Sequence, residues 1–219
     1  MKLHEAISQY ANEKAPNIAQ DYIWKINMEN FPLKNYSLEG NNDYQQCKNL
    51  RIFIHNHLKS HQDFSDELQI WYVKNWGGVK GNKSETLIEY VNSSSDQLIS
   101  LGKKGVATWS KMLAVRDPLK YVIYDARVAV SLNSLQRLYK TVNPYLFPQL
   151  PSQNKNFVQP TQKKIISSKY FLNSLDTGFY QIYLGLLNEV ISKCERLSIQ
   201  DIEMILFSSA KELSEIWSK

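Results

Sequence analysis

Cysteine is scarce in this chain: its 219 residues hold only Cys47 and Cys194. Two thiols exclude a disulfide framework, a four-thiolate zinc site and a four-cysteine iron–sulfur cluster. No apolar run approaches the ~20 residues that span a bilayer. The opening MKLHEAISQYANEK lacks the apolar stretch of a secretory signal. No Walker loop and no dinucleotide fingerprint is present; the glycines of GGVKGN (77–82) lack the strand and helix that such a loop needs. With 43% hydrophobic and 21% charged residues, wholesale disorder is excluded. The expectation is a soluble cytoplasmic monomer, without membrane attachment, metal or cofactor.

Acid is missing from one stretch in particular. Residues 1–100 carry 10 Lys/Arg against 12 Asp/Glu, residues 101–170 carry 12 against 2, and residues 171–219 carry 4 against 7. A solvated surface normally mixes its signs, so a basic block points to a polyanionic partner, most simply nucleic acid. The two acids left inside the block, Asp117 and Asp125, stand out by exception.

What is present is helical periodicity, and the fold class expected is all-α. Helices are expected over 43–61 with Asp43 at the cap, over 65–76 behind Ser65 and before Gly77-Gly78, and from Ser84. A short helix capped by Ser95 runs into GKKGV, then ATWSKMLAV closes at Pro118. Residues 124–141 read as a long helix with Val128, Leu132, Leu135 and Leu138 inward. Residues 143–160 hold four of the seven prolines and read as an irregular connection. Helices near 161–174, 176–194 and 198–217 complete the chain, the last capped by Ser198. The first forty residues are the least readable. The chain is expected to form one functional unit over 1–219, with its key segment at 95–142 and a C-terminal helical part at 161–219.

Residues 95–130, SDQLISLGKKGVATWSKMLAVRDPLKYVIYDARVAV, concentrate the chemistry. A tight turn between two helices leaves the first N–H groups of the second helix unpaired. Those donors, the helix dipole and the adjacent Lys103 and Lys104 make a phosphate clamp that reads no sequence. Gly102 and Gly105 let the backbone turn and approach closely. Asp125 opens the next helix, either as a plain N-cap or as a catalytic carboxylate.

This stretch resembles the helix-hairpin-helix DNA glycosylase superfamily, and within it small bacterial proteins with an 8-oxoguanine-glycosylase-like fold. Gly105-Val106-Ala107-Thr108 looks like the family hairpin, with Ala107 where the family prefers a second glycine. Tyr124-Asp125-Ala126-Arg127-Val128 matches the family's catalytic-aspartate pattern. The resemblance implies two helical lobes with a base pocket between them. It implies an enzyme that flips a damaged or modified base out of double-stranded DNA and hydrolyses its N-glycosidic bond. The base would be an oxidised purine such as 8-oxoguanine, or a hypermodified phage base such as glucosylated hydroxymethylcytosine, which would make the protein a defence enzyme; the setting would be the nucleoid.

The same resemblance distributes roles. Asp125 would be the catalytic carboxylate. Gly102, Lys103, Lys104, Gly105, Ala107 and Thr108 would hold DNA phosphates. The lysine nucleophile of the family's lyase members falls on Trp109 if Gly105 sets the register. Lys111 lies two residues on, rotated by ~200°, and is either a Schiff-base amine or a phosphate contact. Arg127 would meet phosphate or an interior acid. Trp76, Trp109 and Tyr124 are the aromatic candidates for the base pocket, against the alternative that they are core. A non-catalytic helix-hairpin-helix DNA-binding protein is the alternative function. His57 and His61 have the spacing of metal ligands without a third partner, and read as surface residues.

Overall fold

A computed structural model describes residues 1–60, 63–194 and 196–218. The chain is mostly helical, with one minimal parallel pairing, Tyr145–Leu146 (β1) with Asn173–Ser174 (β2). No helix among the described residues is long and apolar enough to cross a membrane. Two compact units form. One joins Met1–Tyr22 to Tyr124–Lys219, and the other is the inserted Ile23–Ile123. The boundary at 123/124 divides the segment 95–142: the glycine turn belongs to the inserted unit and Asp125 to the terminal one. The basic block is divided with it. By sequence the inserted unit has 13 Lys/Arg against 10 Asp/Glu and the terminal unit 13 against 11. Segregation along the chain is therefore not segregation between units.

In the terminal unit α1 (Leu3–Lys14) buries Leu3, Ala6, Ile7, Tyr10 and Ala11, a helical spacing in the stretch that periodicity had left unread. After the short α2 (Ile18–Asp21) the unit resumes with α8 (Ala126–Leu138), its central helix, then α9 (Val158–Ser167), α10 (Phe179–Ile191), α11 (Ile199–Ser208) and α12 (Ala210–Ser214). Helix α8 touches α1, α9, α11 and α12. Val128, Leu132 and Leu135 are buried as expected, but Leu138 is 45% exposed because α8 ends there. The buried polar residues of α8 have a specific use. Asn133 exchanges two hydrogen bonds with the Phe147 backbone, at 3.0 and 2.9 Å, and Gln136 does the same with Tyr145, at 2.9 and 2.9 Å. These amides imitate a strand partner and order the proline-rich connection. Ser198 caps α11 in a reciprocal box with Asp201. The expected single helix over 198–217 breaks at Ser209, where α12 and a final 3₁₀ turn (Glu215–Trp217) begin.

The inserted unit runs α3 (Asp43–Lys59), α4 (Ser65–Trp71) continued by a π-helical turn (Tyr72–Trp76), α5 (Ser84–Asn92), α6 (Ser95–Ser100) and α7 (Val106–Arg116). Three expected caps shift by one residue. Asn42, not Asp43, accepts the Gln45 N–H, while Asp43 instead accepts from the Trp24 N–H at 2.9 Å. Ser94, not Ser95, caps α6 in a box with Gln97. Phe64, in a left-handed conformation at φ 68°, precedes α4 in place of a Ser65 cap. Helix α7 is buried from Val106 to Val115 apart from Ala107, packed against α3 and the π-helical turn. Arg116 closes it. Its guanidinium donates to the carbonyls of Tyr90, Val91 and Ser93 and to Gln69 Oε1, all at 2.7–2.8 Å. One side chain thereby satisfies the orphan carbonyls at the end of α5.

Candidate functional site

In the inserted unit the turn Leu101–Gly105 joins α6 to α7. Gly102 and Gly105 both have positive φ, 57° and 68°, which side chains rarely adopt. At Gly105 a Cβ would also collide with the Tyr90 hydroxyl. The Gly105 carbonyl accepts from the N–H groups of Thr108 and Trp109, at 2.8 and 3.0 Å. The N–H groups of Gly105 and Ala107 take no partner among the described residues, and Lys103 and Lys104 beside them are exposed. Two backbone donors, a helix N-terminus and two exposed cations thus gather at one turn, the chemistry an anionic oxygen needs.

Thr108 does not share in this. It is buried, and its hydroxyl accepts from the Asn82 amide; its role is to tie the 77–82 loop to α7. Trp109 is wholly buried and donates from Nε1 to the Lys104 carbonyl at 3.0 Å. It braces the turn from inside and presents no face to a base. Trp76 stacks on Tyr72 (4.2 Å, 8° between planes) beneath the Arg51 guanidinium. Its Nε1 reaches Cys47 Sγ at 3.4 Å, so it too is core. In the terminal unit Tyr124 is fully buried against Phe179 and Tyr183 and donates to the Pro148 carbonyl at 2.8 Å. All three aromatic pocket candidates are thus corrected to core residues, because each has its faces covered and its polar atom already bonded.

Lys111 is 5% exposed. Its Nζ donates to the Ala107 carbonyl at 2.8 Å, and its stem lies against Gly77. Ala107 thus carries an open N–H and, on the same residue, the carbonyl that holds the lysine. A buried lysine is uncommon unless its ammonium is satisfied. No family model, no curated protein and no solved structure matches this chain.

In the terminal unit Asp125 caps α8. Its Oδ1 accepts from both the Arg127 and the Val128 N–H, each at 2.9 Å. The cap reading of this residue is therefore realised. Its Oδ2 takes no hydrogen bond from any described residue, and the side chain is half-buried. Among the described residues Arg127 meets no interior acid. Its guanidinium sits 4.6 Å from the Phe207 ring centre and 5.7 Å from that of Phe157, with no hydrogen-bond partner among the described residues. Stacking orients the fork and leaves its donors open.

Sequence reasoning missed Glu203, a carboxylate 2% exposed on α11. Together with Asp125 it helps hold the Tyr183 phenol well above its ordinary pKa, the larger cause being burial. Glu203 sits in an apolar run, IEMILF, with no motif to mark it. Of the two histidines weighed as metal ligands, His57 is buried and donates from Nε2 to the Asp63 carbonyl at 2.7 Å, while His61 lies outside the described residues. Cys47 and Cys194 are both buried.

Proposed function

We propose that the protein is a DNA glycosylase of the helix-hairpin-helix type, acting on a modified base in double-stranded DNA. The observation that carries this reading is the division of labour within the Asp125 carboxylate. One oxygen is fixed by two backbone N–H groups and the other takes no partner among the described residues, so the anion is held rigidly with a lone-pair face to spare. Breaking an N-glycosidic bond develops positive charge on the deoxyribose. A fixed carboxylate stabilises that charge and orients the attacking water. Water adds to the anomeric carbon, the base leaves with the bonding pair, and the proton released by water balances the departing base. The turn at 101–105 supplies the phosphate clamp, with Gly102, Lys103, Lys104, Gly105 and Ala107 as its members. Arg127, its donors open, supplies a further phosphate or base contact. Lys111 is the candidate amine for a lyase step, and base excision does not require it.

The substrate class is an oxidised purine, or a bulky modified pyrimidine of phage DNA. A panel of duplexes tests this, carrying 8-oxoguanine, uracil, alkylated purines, hydroxymethylcytosine and glucosylated hydroxymethylcytosine. Abasic sites are revealed by alkaline cleavage. Release from one duplex that vanishes in Asp125→Asn supports the enzyme. Silence throughout, with tight salt-sensitive binding, favours the second reading, a non-catalytic DNA-binding protein. One observation speaks for that second reading: none of Trp76, Trp109 and Tyr124 has a face open to an extruded base.

A further inference from the structure

The inserted unit contains a separate cleft of about 390 Å³, lined by Leu33, Tyr36, Ser37, Glu39, Phe53 and His57 among others, a volume in the range of small-ligand sites. One wall is aromatic. Tyr36 and Phe53 face each other with centres 4.0 Å apart and planes 31° apart, and Phe31 packs against both and edge-on against Trp71. That wall is anchored. The Glu39 carbonyl accepts from Asn49 Nδ2 at 2.9 Å and the Gly40 carbonyl from Gln46 Nε2 at 3.1 Å, both side chains on α3. The loop carrying Tyr36 and Glu39 is thereby tied to the helix carrying Phe53 and His57.

Glu39 and His57 bring acceptors to the cleft, beside the hydroxyls of Tyr36 and Ser37 and the amide of Asn35. His57 is 9% exposed. A carbonyl cannot donate, so the bond to Asp63 O fixes the proton on Nε2. In the neutral imidazole Nδ1 is then an acceptor, and no described residue bonds to it. The Glu39 carboxylate likewise takes no hydrogen bond from any described residue, and its charge is felt by the Tyr36 phenol, which burial already raises. An aromatic wall beside a carboxylate and an imidazole acceptor selects a flat ring with adjacent N–H donors on one edge.

We propose that this cleft binds a guanine-type base, whose ring stacks on the Tyr36–Phe53 wall while its ring N–H and exocyclic amine donate to Glu39. Adenine lacks the paired donors and thymine lacks the amine. The proposal concerns the inserted unit alone and does not depend on glycosylase activity. Two sources present the same edge, a free nucleoside and an unpaired guanine in a single strand.

The test is equilibrium binding to the full-length protein, read by tryptophan fluorescence and by ligand-observed NMR, with no base release involved. The probes are guanosine, inosine, adenosine, and a thymidine oligonucleotide with or without one guanine. Guanosine should bind at least tenfold more tightly than inosine or adenosine if the free nucleoside is the ligand. The single guanine should strengthen oligonucleotide binding by a similar factor if the strand is. In either case the preference should fall at least tenfold in Glu39→Gln, a change at an exposed side chain that leaves the melting temperature unaltered. Tyr36→Leu should weaken every base alike. Equal binding of all probes, or a guanine preference that survives in Glu39→Gln, overturns the proposal. If base release is seen while guanosine fails to bind, only this inference falls.

Discussion

Gly77 and Lys111 occupy each other's space: a Cβ at position 77 would lie 2.6 Å from both Cδ and Cε of Lys111, and 2.7 Å from the Val73 carbonyl oxygen. The π-helical turn Tyr72–Trp76 creates this fit. The Gly77 N–H bonds back to the Tyr72 carbonyl at 2.8 Å, and the wide turn sets the glycine against the lysine stem. A flexible lysine tip could yield, but a backbone carbonyl within a helical turn cannot. Gly77→Ala should therefore destabilise the protein by about 1–3 kcal/mol, the usual cost of overpacking, as read from urea unfolding. If Lys111 is a Schiff-base amine, borohydride trapping on abasic DNA should fall in the same variant and vanish in Lys111→Ala. An unchanged trapping yield would show that the lysine's placement does not matter to the chemistry.

Asp125 serves the helix and, by our proposal, the reaction, and two substitutions separate these. Asparagine caps a helix about as well as aspartate, whereas alanine costs about 1 kcal/mol. Asp125→Asn should keep its unfolding midpoint and its duplex affinity while losing base release. Asp125→Ala should lose release and also show the missing cap in its stability. Full base release by Asp125→Asn would remove the carboxylate from the mechanism.

Local signals made much of this fold legible. Ser198 reads as a cap ahead of an apolar face, to which the structure adds the Asp201 box, and α10 and α11 follow from apolar spacing. Even α1 carries its pattern, Leu3, Ala6, Ile7 and Tyr10. Long-range pairing was not legible. Arg116 looks like any basic residue until its fork is seen on carbonyls 23 to 26 residues earlier in the chain. Trp109 leaves both readings open in the sequence for a related reason: α7 is buried on nearly every side, so periodicity does not tell a brace from an exposed face. The basic block misled differently, since the unit boundary at 123/124 cuts through it.

Arg116 should be among the most stability-sensitive polar residues of the inserted unit. Burial pulls its pKa below the ordinary arginine value, with the Asp66 charge opposing. Arg116→Met would strand the carbonyls of Tyr90, Val91 and Ser93, and should cost about 2–4 kcal/mol. Arg116→Lys keeps the charge but not the planar fork, and should recover only part of that loss. Urea unfolding of both variants measures this; a loss under about 0.5 kcal/mol in Arg116→Met would mean that water serves the end of α5 equally well.

Alkali should unfold the terminal unit before the inserted one. Burial pushes the Tyr10 phenol up to about 12 and holds Tyr124 and Tyr183 well above the ordinary value of 10; Tyr139, Tyr145 and Tyr170 are raised as well. In the inserted unit the phenols of Tyr36 and Tyr90 are raised too, less far than those of Tyr124 and Tyr183. A phenol with a raised folded pKa binds its proton more tightly in the native state. Its stabilising contribution is complete below pH 10 and is lost as pH climbs through the folded value. Tyrosinate absorbance should accordingly rise cooperatively between about pH 10 and 12. Hydrogen exchange should show the amides of α8 and α10 losing protection before those of α3 and α7. The reverse order would mean that packing, not phenol ionisation, governs alkaline unfolding.

Lys103 and Lys104 decide whether nucleic acid is the partner at all. Each lysine that neutralises a duplex phosphate releases counterions and adds roughly 0.9 to the slope of log affinity against log salt. Alanine at either position should therefore lower the slope by about that amount and weaken binding evenly across duplex sequences, because a phosphate carries no sequence information. Stability should be untouched, since both side chains are exposed at the turn. Ala107→Gly should leave the slope unchanged, as it alters no charge. A slope near zero in the unmodified protein would exclude the glycosylase and the non-catalytic DNA-binding readings together, and would leave the turn at 101–105 as a purely structural connection between α6 and α7.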